Sequence, residues 1–267
     1  MSFEPGKAVV VDDPAQLATY GRAFRKTGKR VVLVPLGTGL HAGHIALIRA
    51  AKSLLGGVVI VTYSGDEVPE DFAREGVDVV FHGDLPTDVR VVPQLDHLED
   101  PALIARAVTR TIAAINATHA TDVVVGEKDF EELVALQQAV SGLRMEVLLH
   151  SLPTVRAAGG VAMSLRNADV PEQFQDDALA LSAALTAGAH AAERGPDAVL
   201  ETARGVLEAA GVTPDYLALR SLSFGDTPAI GDARLLAAAC FGDVRLIDNV
   251  GVPVGVGFKH IGEQLEP

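Results

Sequence analysis

The sequence predicts an α/β protein, a doubly wound parallel sheet followed by a smaller α+β domain. Two observations carry that prediction. Through the first part of the chain, short continuous β-branched runs alternate with amphipathic stretches, as in strands covered on both faces and joined by crossover helices. Later the rhythm changes to two long Ala-rich helices and then three strand-like runs. The expected division is residues 1–153 and 154–267.

The elements are expected in this order. Asp13 to Lys26 forms a helix, capped by Asp12 or Asp13, with Leu17, Tyr20 and Phe24 on one face. Arg30 to Pro35 (RVVLVP) is a buried strand, followed by a Gly-rich turn and a helix from about Ile45 to Leu55. Gly57 to Tyr63 and Val77 to Phe81 are further strands, and Pro101 to Ala117 is a helix with proline in its first turn. Thr121 to Val125 is a strand leading through Gly126-Glu127-Lys128-Asp129 into a helix from Phe130, and Arg144 to Leu149 is the next strand. In the second part, helices over Pro171 to Arg194 and Asp197 to Ala210 are broken at Gly195-Pro196. Strands are expected over Asp215 to Ser221, Arg234 to Phe241 and Val244 to Val250, with the Gly-rich tail from Gly251 poorly ordered at its end.

The composition is that of a globular protein, with 48% hydrophobic residues and no tryptophan, so Ala, Val, Leu and Gly must fill the core. A formal net charge of −13 repels phosphate backbones and argues against nucleic acid as a partner. It leaves room for a small anion in a locally basic pocket. The single cysteine, Cys240, excludes an intrachain disulfide and is expected to be a small buried apolar residue. The N-terminus has neither the basic start nor the apolar run of a signal peptide, and no apolar stretch is long enough to span a membrane. The expected location is cytoplasmic.

Three segments carry chemistry. The first, Pro35 to His44, lies between a buried strand and a helix. Such a turn directs backbone N–H groups and the positive end of a helix dipole at one spot, which suits phosphate. It lacks the Gly-Lys-Ser/Thr ending of a Walker loop and carries His41 and His44 around Gly43 instead. The imidazoles can donate to phosphate oxygens. A metal pair and incidental surface histidines are the competing readings. The second segment, Gly126-Glu127-Lys128-Asp129, offers close backbone approach, a cation for phosphates and an acceptor for ribose hydroxyls; a solvated charged turn is its bland alternative. The third, Met163-Ser164-Leu165-Arg166-Asn167, follows Pro153-Thr154-Val155-Arg156 and puts a hydroxyl and a guanidinium where closure over a triphosphate is conceivable.

Taken in order, these segments resemble the pantothenate synthetase (pantoate–β-alanine ligase) family of the HxGH nucleotidyltransferase superfamily. Pro214-Asp215-Tyr216-Leu217-Ala218-Leu219-Arg220 and Arg245-Leu246-Ile247-Asp248-Asn249-Val250 extend the resemblance, which spans about Val31 to Val250 except for the region near residues 64–118. It implies a Rossmann-like fold whose smaller domain acts as a lid, a homodimer, and a two-step reaction with MgATP. A carboxylate attacks the α-phosphate to give an acyl-adenylate and pyrophosphate, and an amine then displaces AMP to form an amide. By position, His41, His44 and Lys128 would contact the phosphates, with Gly43 allowing close approach. Gly126 and Asp129 would hold the ribose, Val155 and Met163 would lie near adenine, and Ser164 and Arg166 would close the triphosphate site. The ligands of Mg²⁺ stay open.

The acid-binding half departs from the family. The Asn-Pro-x-Gln-Phe segment is absent, and Thr62-Tyr63-Ser64-Gly65-Asp66 stands in its place. A second glutamine, expected four residues after Lys128, is Glu132. Tyr63, Ser64 and Glu132 are the candidate acid-binding residues. An ionised glutamate would repel a substrate carboxylate, so the expectation is an acid other than pantoate. The alternatives are authentic pantoate–β-alanine ligation, nucleotidyl transfer that retains the nucleotide in its product, and a non-catalytic paralogue.

Overall fold

A computed structural model describes residues 4–256, and its chain divides into two compact units, one ending at Val155 and the other beginning at Arg156. The first unit is built on β1 (Val9–Val11), β2 (Arg30–Pro35), β3 (Gly57–Tyr63), β4 (Val79–His82), β5 (Asp122–Gly126) and β6 (Leu148–Leu152). Their order in the sheet is β1-β4-β3-β2-β5-β6, with every pair parallel. Between them run α1 (Pro14–Lys26), α2 (Ala42–Ser53), the short α3 (Asp71–Arg74), α4 (Pro101–Thr118) and α5 (Phe130–Gly142).

The alternation of the strands decides which helix each residue meets. Val32, Val34, Val59, Val61 and Val124 pack with Leu47 and Ile48 of α2, while Leu33 and Val123 pack with Val108, Ile112, Ala135 and Leu136 of α4 and α5. Val31, Val58, Ile60 and Phe81 face Leu17 and Phe24 of α1. Each such side chain contributes about 1.5–3 kcal/mol on burial, so the sheet needs no help from the polar turns at its ends. Gly21 lets α1 lie on α4, because a Cβ there would sit 2.0 Å from the Thr118 carbonyl oxygen.

Strand order reverses between β2 and β5. From β2 the chain winds through β3 and β4 in one direction, and from β5 to β6 in the other. The two strands pair only at Val32–Asp122 and Leu33–Val123, then part, although β2 continues to Pro35 and β5 to Gly126. A crevice at the carboxyl ends of diverging strands is where open α/β sheets receive ligands. At the other end of the same seam, Asp122 is 1% exposed and accepts from Arg30 at 2.7 and 3.2 Å and from His150 Nε2 at 2.7 Å.

The second unit packs α6 (Gln175–His190) and α7 (Pro196–Ala209) with the antiparallel sheet of β7 (Pro214–Ser221), β8 (Gly231–Phe241) and β9 (Val244–Val254), in the order β7-β8-β9. Arg156 donates to the buried Asp248 of β9 at 2.6 and 3.0 Å, which ties the first residue of the unit to its last strand.

Several expectations are corrected. β1 and α3 were not anticipated, and α2 begins at Ala42 rather than near Ile45, which brings His44 into its first turn. β6 starts at Leu148 rather than Arg144, because Arg144 takes a positive φ of 54° and turns the chain. The long helix expected from Pro171 to Arg194 is α6 flanked by 3-10 turns at Glu172–Phe174 and Ala192–Arg194. β9 extends through Gly251 to Val254, and the remainder of the tail from residue 257 lies outside the described residues. Cys240 is exposed, not buried: on β8 it points away from its buried neighbours Ala239 and Phe241, with Sγ 3.9 Å from Asp215. Among the described residues no helix is long and apolar enough to cross a membrane.

Candidate active site

The turn after β2 is anchored from β3. Leu36 N–H donates to Thr62 O at 2.9 Å, Ser64 N–H to Gly37 O at 3.2 Å, and the Tyr63 hydroxyl to Thr38 O at 3.1 Å. Gly65 is required there, since a Cβ would stand 2.5 Å from Thr38 O. The turn is therefore fixed before any ligand arrives, as a preorganised site requires.

His41 is the N-cap of α2, and its Nδ1 accepts from Gly43 N–H at 3.1 Å. With Nδ1 as acceptor, the neutral ring carries its proton on Nε2 and presents it as a donor. His44 stacks on His41 with ring centroids 3.8 Å apart and planes 20° apart. Burial lowers the pKa of both rings. For His44 it falls to about 4, with the neighbouring His41 adding to the effect and the Gly39 backbone and Asp129 opposing it. For His41 burial is again the largest cause, followed by the charge of Lys128, against Asp129. Both imidazoles are thus neutral at pH 7. His44 Nδ1 is buried without a hydrogen-bond partner. Among the described residues no group of three or more His, Cys, Asp or Glu forms a metal-sized cluster.

The second segment faces the first from β5. Gly126 ends the strand with open space where a side chain would be. Lys128 is largely buried, with Nζ 3.7 Å from Asp129, and close enough to His41 to oppose its protonation. Asp129 is the N-cap residue of α5, yet its exposed carboxylate makes no capping hydrogen bond. The structure therefore brings His41, Gly43, His44, Gly126, Lys128 and Asp129 to the carboxyl ends of β2 and β5. Val155 is the last residue of this unit. Met163, Ser164 and Arg166 belong to the second unit, where Ser164 caps a 3-10 turn over Leu165–Asp169 by accepting from Arg166 N–H at 3.3 Å.

Beside the phosphate-type turn lies a cavity of about 210 Å³ lined by Leu36, Gly37, Thr62, Tyr63, Arg110 and Glu132, among others. Tyr63 contributes mainly its ring, because its hydroxyl is engaged with Thr38. Ser64 accepts from Arg110 Nη2 at 3.4 Å. Glu132 does not point into bulk solvent. Burial raises its pKa to about 7, Asp129 adds to this, and Arg110 and Lys128 oppose it. A glutamate shifted in that direction keeps its proton to higher pH than usual, and its protonated form can donate like the amide of glutamine.

Arg110 escaped the sequence reading. Its signal was present: Ala107, Arg110, Thr111 and Ala114 follow i, i+3, i+4, i+7 spacing along α4, and all four line the cavity. An arginine and a threonine on an otherwise small-residue face mark a surface that meets something polar.

Comparison with known proteins gives a consistent result. A profile of the family described as pantoate-beta-alanine ligase matches residues 9–68 and 69–251. A pantothenate synthetase of Corynebacterium jeikeium is 40% identical, covering 98% of this chain and 96% of its own. That of Mycobacterium avium is 38% identical, covering 95% and 92%. Among solved structures, pantothenate synthetase from Thermus thermophilus superposes with a TM-score of 0.76 at 24% identity, covering 91% of this chain and 98% of that one. It shares the fold described above.

Proposed function

Because the chain belongs to the pantoate–β-alanine ligase family, we propose that it condenses pantoate with β-alanine at the expense of MgATP, releasing AMP and pyrophosphate. The observation that carries this reading is the pair of stacked neutral imidazoles, His41 and His44, set opposite Lys128 where β2 and β5 part. A pantoate carboxylate oxygen attacks the α-phosphorus, the bond from that phosphorus to the bridging oxygen breaks, and pyrophosphate leaves. The β-alanine amine then attacks the acyl carbon, loses a proton, and AMP departs as the amide forms. The protein supplies no covalent nucleophile. The His41 Nε2–H and the Lys128 ammonium meet charge that builds on the phosphates, and in a buried setting such donors act without reorganising. Gly126 and Asp129 hold the ribose; the family resemblance assigns Val155 and Met163 to the adenine and Ser164 and Arg166 to the triphosphate.

Pantoate is favoured over the different acid expected from Glu132. The expectation assumed an ionised carboxylate, but burial raises the pKa of this group to about 7, and in its protonated form it supplies a donor as a glutamine would. The family match across residues 9–251 and the names of the full-length relatives support the same choice. Mass spectrometry of the products from MgATP, β-alanine and a panel of small hydroxy acids is the test. The expected outcome is pantothenate with one AMP per amide, and pantoate outrunning every other acid by at least about tenfold in kcat/KM, a margin of about 1.4 kcal/mol. A better acid than pantoate would overturn the reading, as would an adenylylated final product.

A further inference from the structure

Away from the site described above, the exposed face of α4 carries a charge opposite to that of the chain. A cavity of about 240 Å³ there is lined by three guanidiniums, Arg90, Arg106 and Arg110, and by a single carboxylate, Asp84. The whole chain has 22 basic against 35 acidic residues, so this is a local reversal of sign. Packing holds the arrangement in place. Arg106 and Arg110 stand one turn apart on α4. Arg90 comes from the segment after β4, which is fastened to the same helix. Val91 N–H donates to Thr109 Oγ1 at 2.9 Å, and Leu85, Val91 and Leu95 pack against the core that includes Ile104, Val108 and Ile112. Thr109 is 8% exposed and donates in turn to Ala105 O, so the anchor is itself fixed.

Like charges at i, i+4 oppose one another on a helix, and the protein does little to neutralise these. Arg110 lies 3.8 Å from Asp84 and 3.4 Å from the Ser64 hydroxyl, whereas no ion pair or hydrogen bond engages Arg90 or Arg106 among the described residues. We propose that this cavity is a second anion site that takes a phosphoryl group, separate from the nucleotide crevice where β2 and β5 part. Guanidinium forks match the oxygens of a phosphoryl dianion, which can accept from more than one arginine at once, while a carboxylate offers fewer oxygens and one charge. The space is several times the ~30 Å³ share of a water molecule, enough for diphosphate or for a phosphomonoester of a small alcohol. Arg110 also lines the cavity beside the phosphate turn, so the two spaces share one side chain. A phosphoryl group that draws Arg110 outward loosens its contacts with Ser64 and Asp84 and changes the neighbouring cavity. Binding at the two places is therefore linked, and the linkage is reciprocal.

The test is calorimetric titration of the full chain, with a non-hydrolysable ATP analogue present to fill the nucleotide crevice. The probes are inorganic phosphate, diphosphate, glycerol 3-phosphate and citrate. One site per chain is expected for at least one phosphoryl probe, with a Kd below about 1 mM that weakens as salt is raised. Arg106→Gln and Arg90→Gln should each weaken it at least about tenfold, and Arg106→Lys should recover part of the loss. Thermal midpoints should not change, because both side chains are exposed. Tighter binding of diphosphate would identify an inorganic ligand, and tighter binding of glycerol 3-phosphate an organic phosphomonoester. In pantothenate formation, a saturating phosphoryl probe should raise KM for pantoate about fivefold in the unaltered chain and leave it unchanged in Arg106→Gln. Absence of binding by every phosphoryl probe, undiminished binding in both arginine variants, or tighter binding of citrate would overturn the site. A KM that ignores the probe would overturn the link through Arg110. Binding that persists in a chain with no pantoate-dependent turnover would remove the ligase reading and leave this site standing.

Discussion

At the amino end of the β2–β5 seam, Arg30, Thr121 and His150 all donate to one buried carboxylate, Asp122. At the carboxyl end of the same two strands, His41, His44, Lys128 and Glu132 gather at a crevice, with His44 Nδ1 buried and unpartnered. Burial acts on ionisable groups at both ends, with different outcomes. It would raise Asp122, but the hydrogen bonds from Thr121, His150 and Arg30 outweigh it and hold the carboxyl below its usual range. No comparable set of acceptors holds a proton on His44 and no comparable set of donors holds Glu132 ionised, so burial wins, taking one to about 4 and the other to about 7. A charge surrounded by its own donors serves the fold, whereas titratable groups left near neutrality are available to a ligand.

Substitutions at the two ends should separate activity from stability. His44→Ala is expected to lower the rate of pantoate-dependent pyrophosphate exchange at least about 100-fold, or about 2.7 kcal/mol of transition-state stabilisation, with a thermal midpoint that is unchanged or higher. Asp122→Asn should do the opposite. Denaturant unfolding should show a loss of about 2 kcal/mol at pH 7, since Arg30, Thr121 and His150 lose the carboxylate charge and one of its two acceptor oxygens, while kcat of the folded enzyme stays near that of the unaltered chain. A large activity loss from Asp122→Asn would erase the distinction.

The smallest effect concerns protons. His44 is neutral at pH 6 because its pKa lies far below 6.5, and a bound triphosphate reverses part of that depression. MgATP binding at pH 6 should then take up a fraction of a proton, read as a dependence of calorimetric enthalpy on buffer ionisation heat, and Glu132→Gln should not remove it. The same depression fixes the sign for stability. The unfolded chain protonates His44 first, so stability is lost as pH falls from about 6.5 towards 4, and not above that range.

The centre of the sheet was legible for a physical reason. β2, β3 and β5 are buried on both faces, and such strands are written as unbroken β-branched runs. The edges were not. β1 is three residues long, and the apolar letters around Met145 and Val147 precede the strand that pairs with Asp122 through Leu148. The two phosphate-type segments could be located because each joins a strand to a helix. Arg110 could not be found by that rule, since it enters the cavity from the middle of α4. The state of Glu132 was also out of reach, because it depends on burial and on three charges, Asp129, Arg110 and Lys128, brought together only by folding.

β2 shares six registered residue pairs with β3, and β5 shares five with β6, but β2 and β5 share only two. The six strands thus behave as two well-laced panels joined by a short stitch. A nucleotide lying across the gap would touch the His41–His44 panel on one side and the Lys128 panel on the other, lengthening the stitch with its own phosphates. Occupancy would then stiffen the join itself, and the cost of opening that join would fall on the release of product.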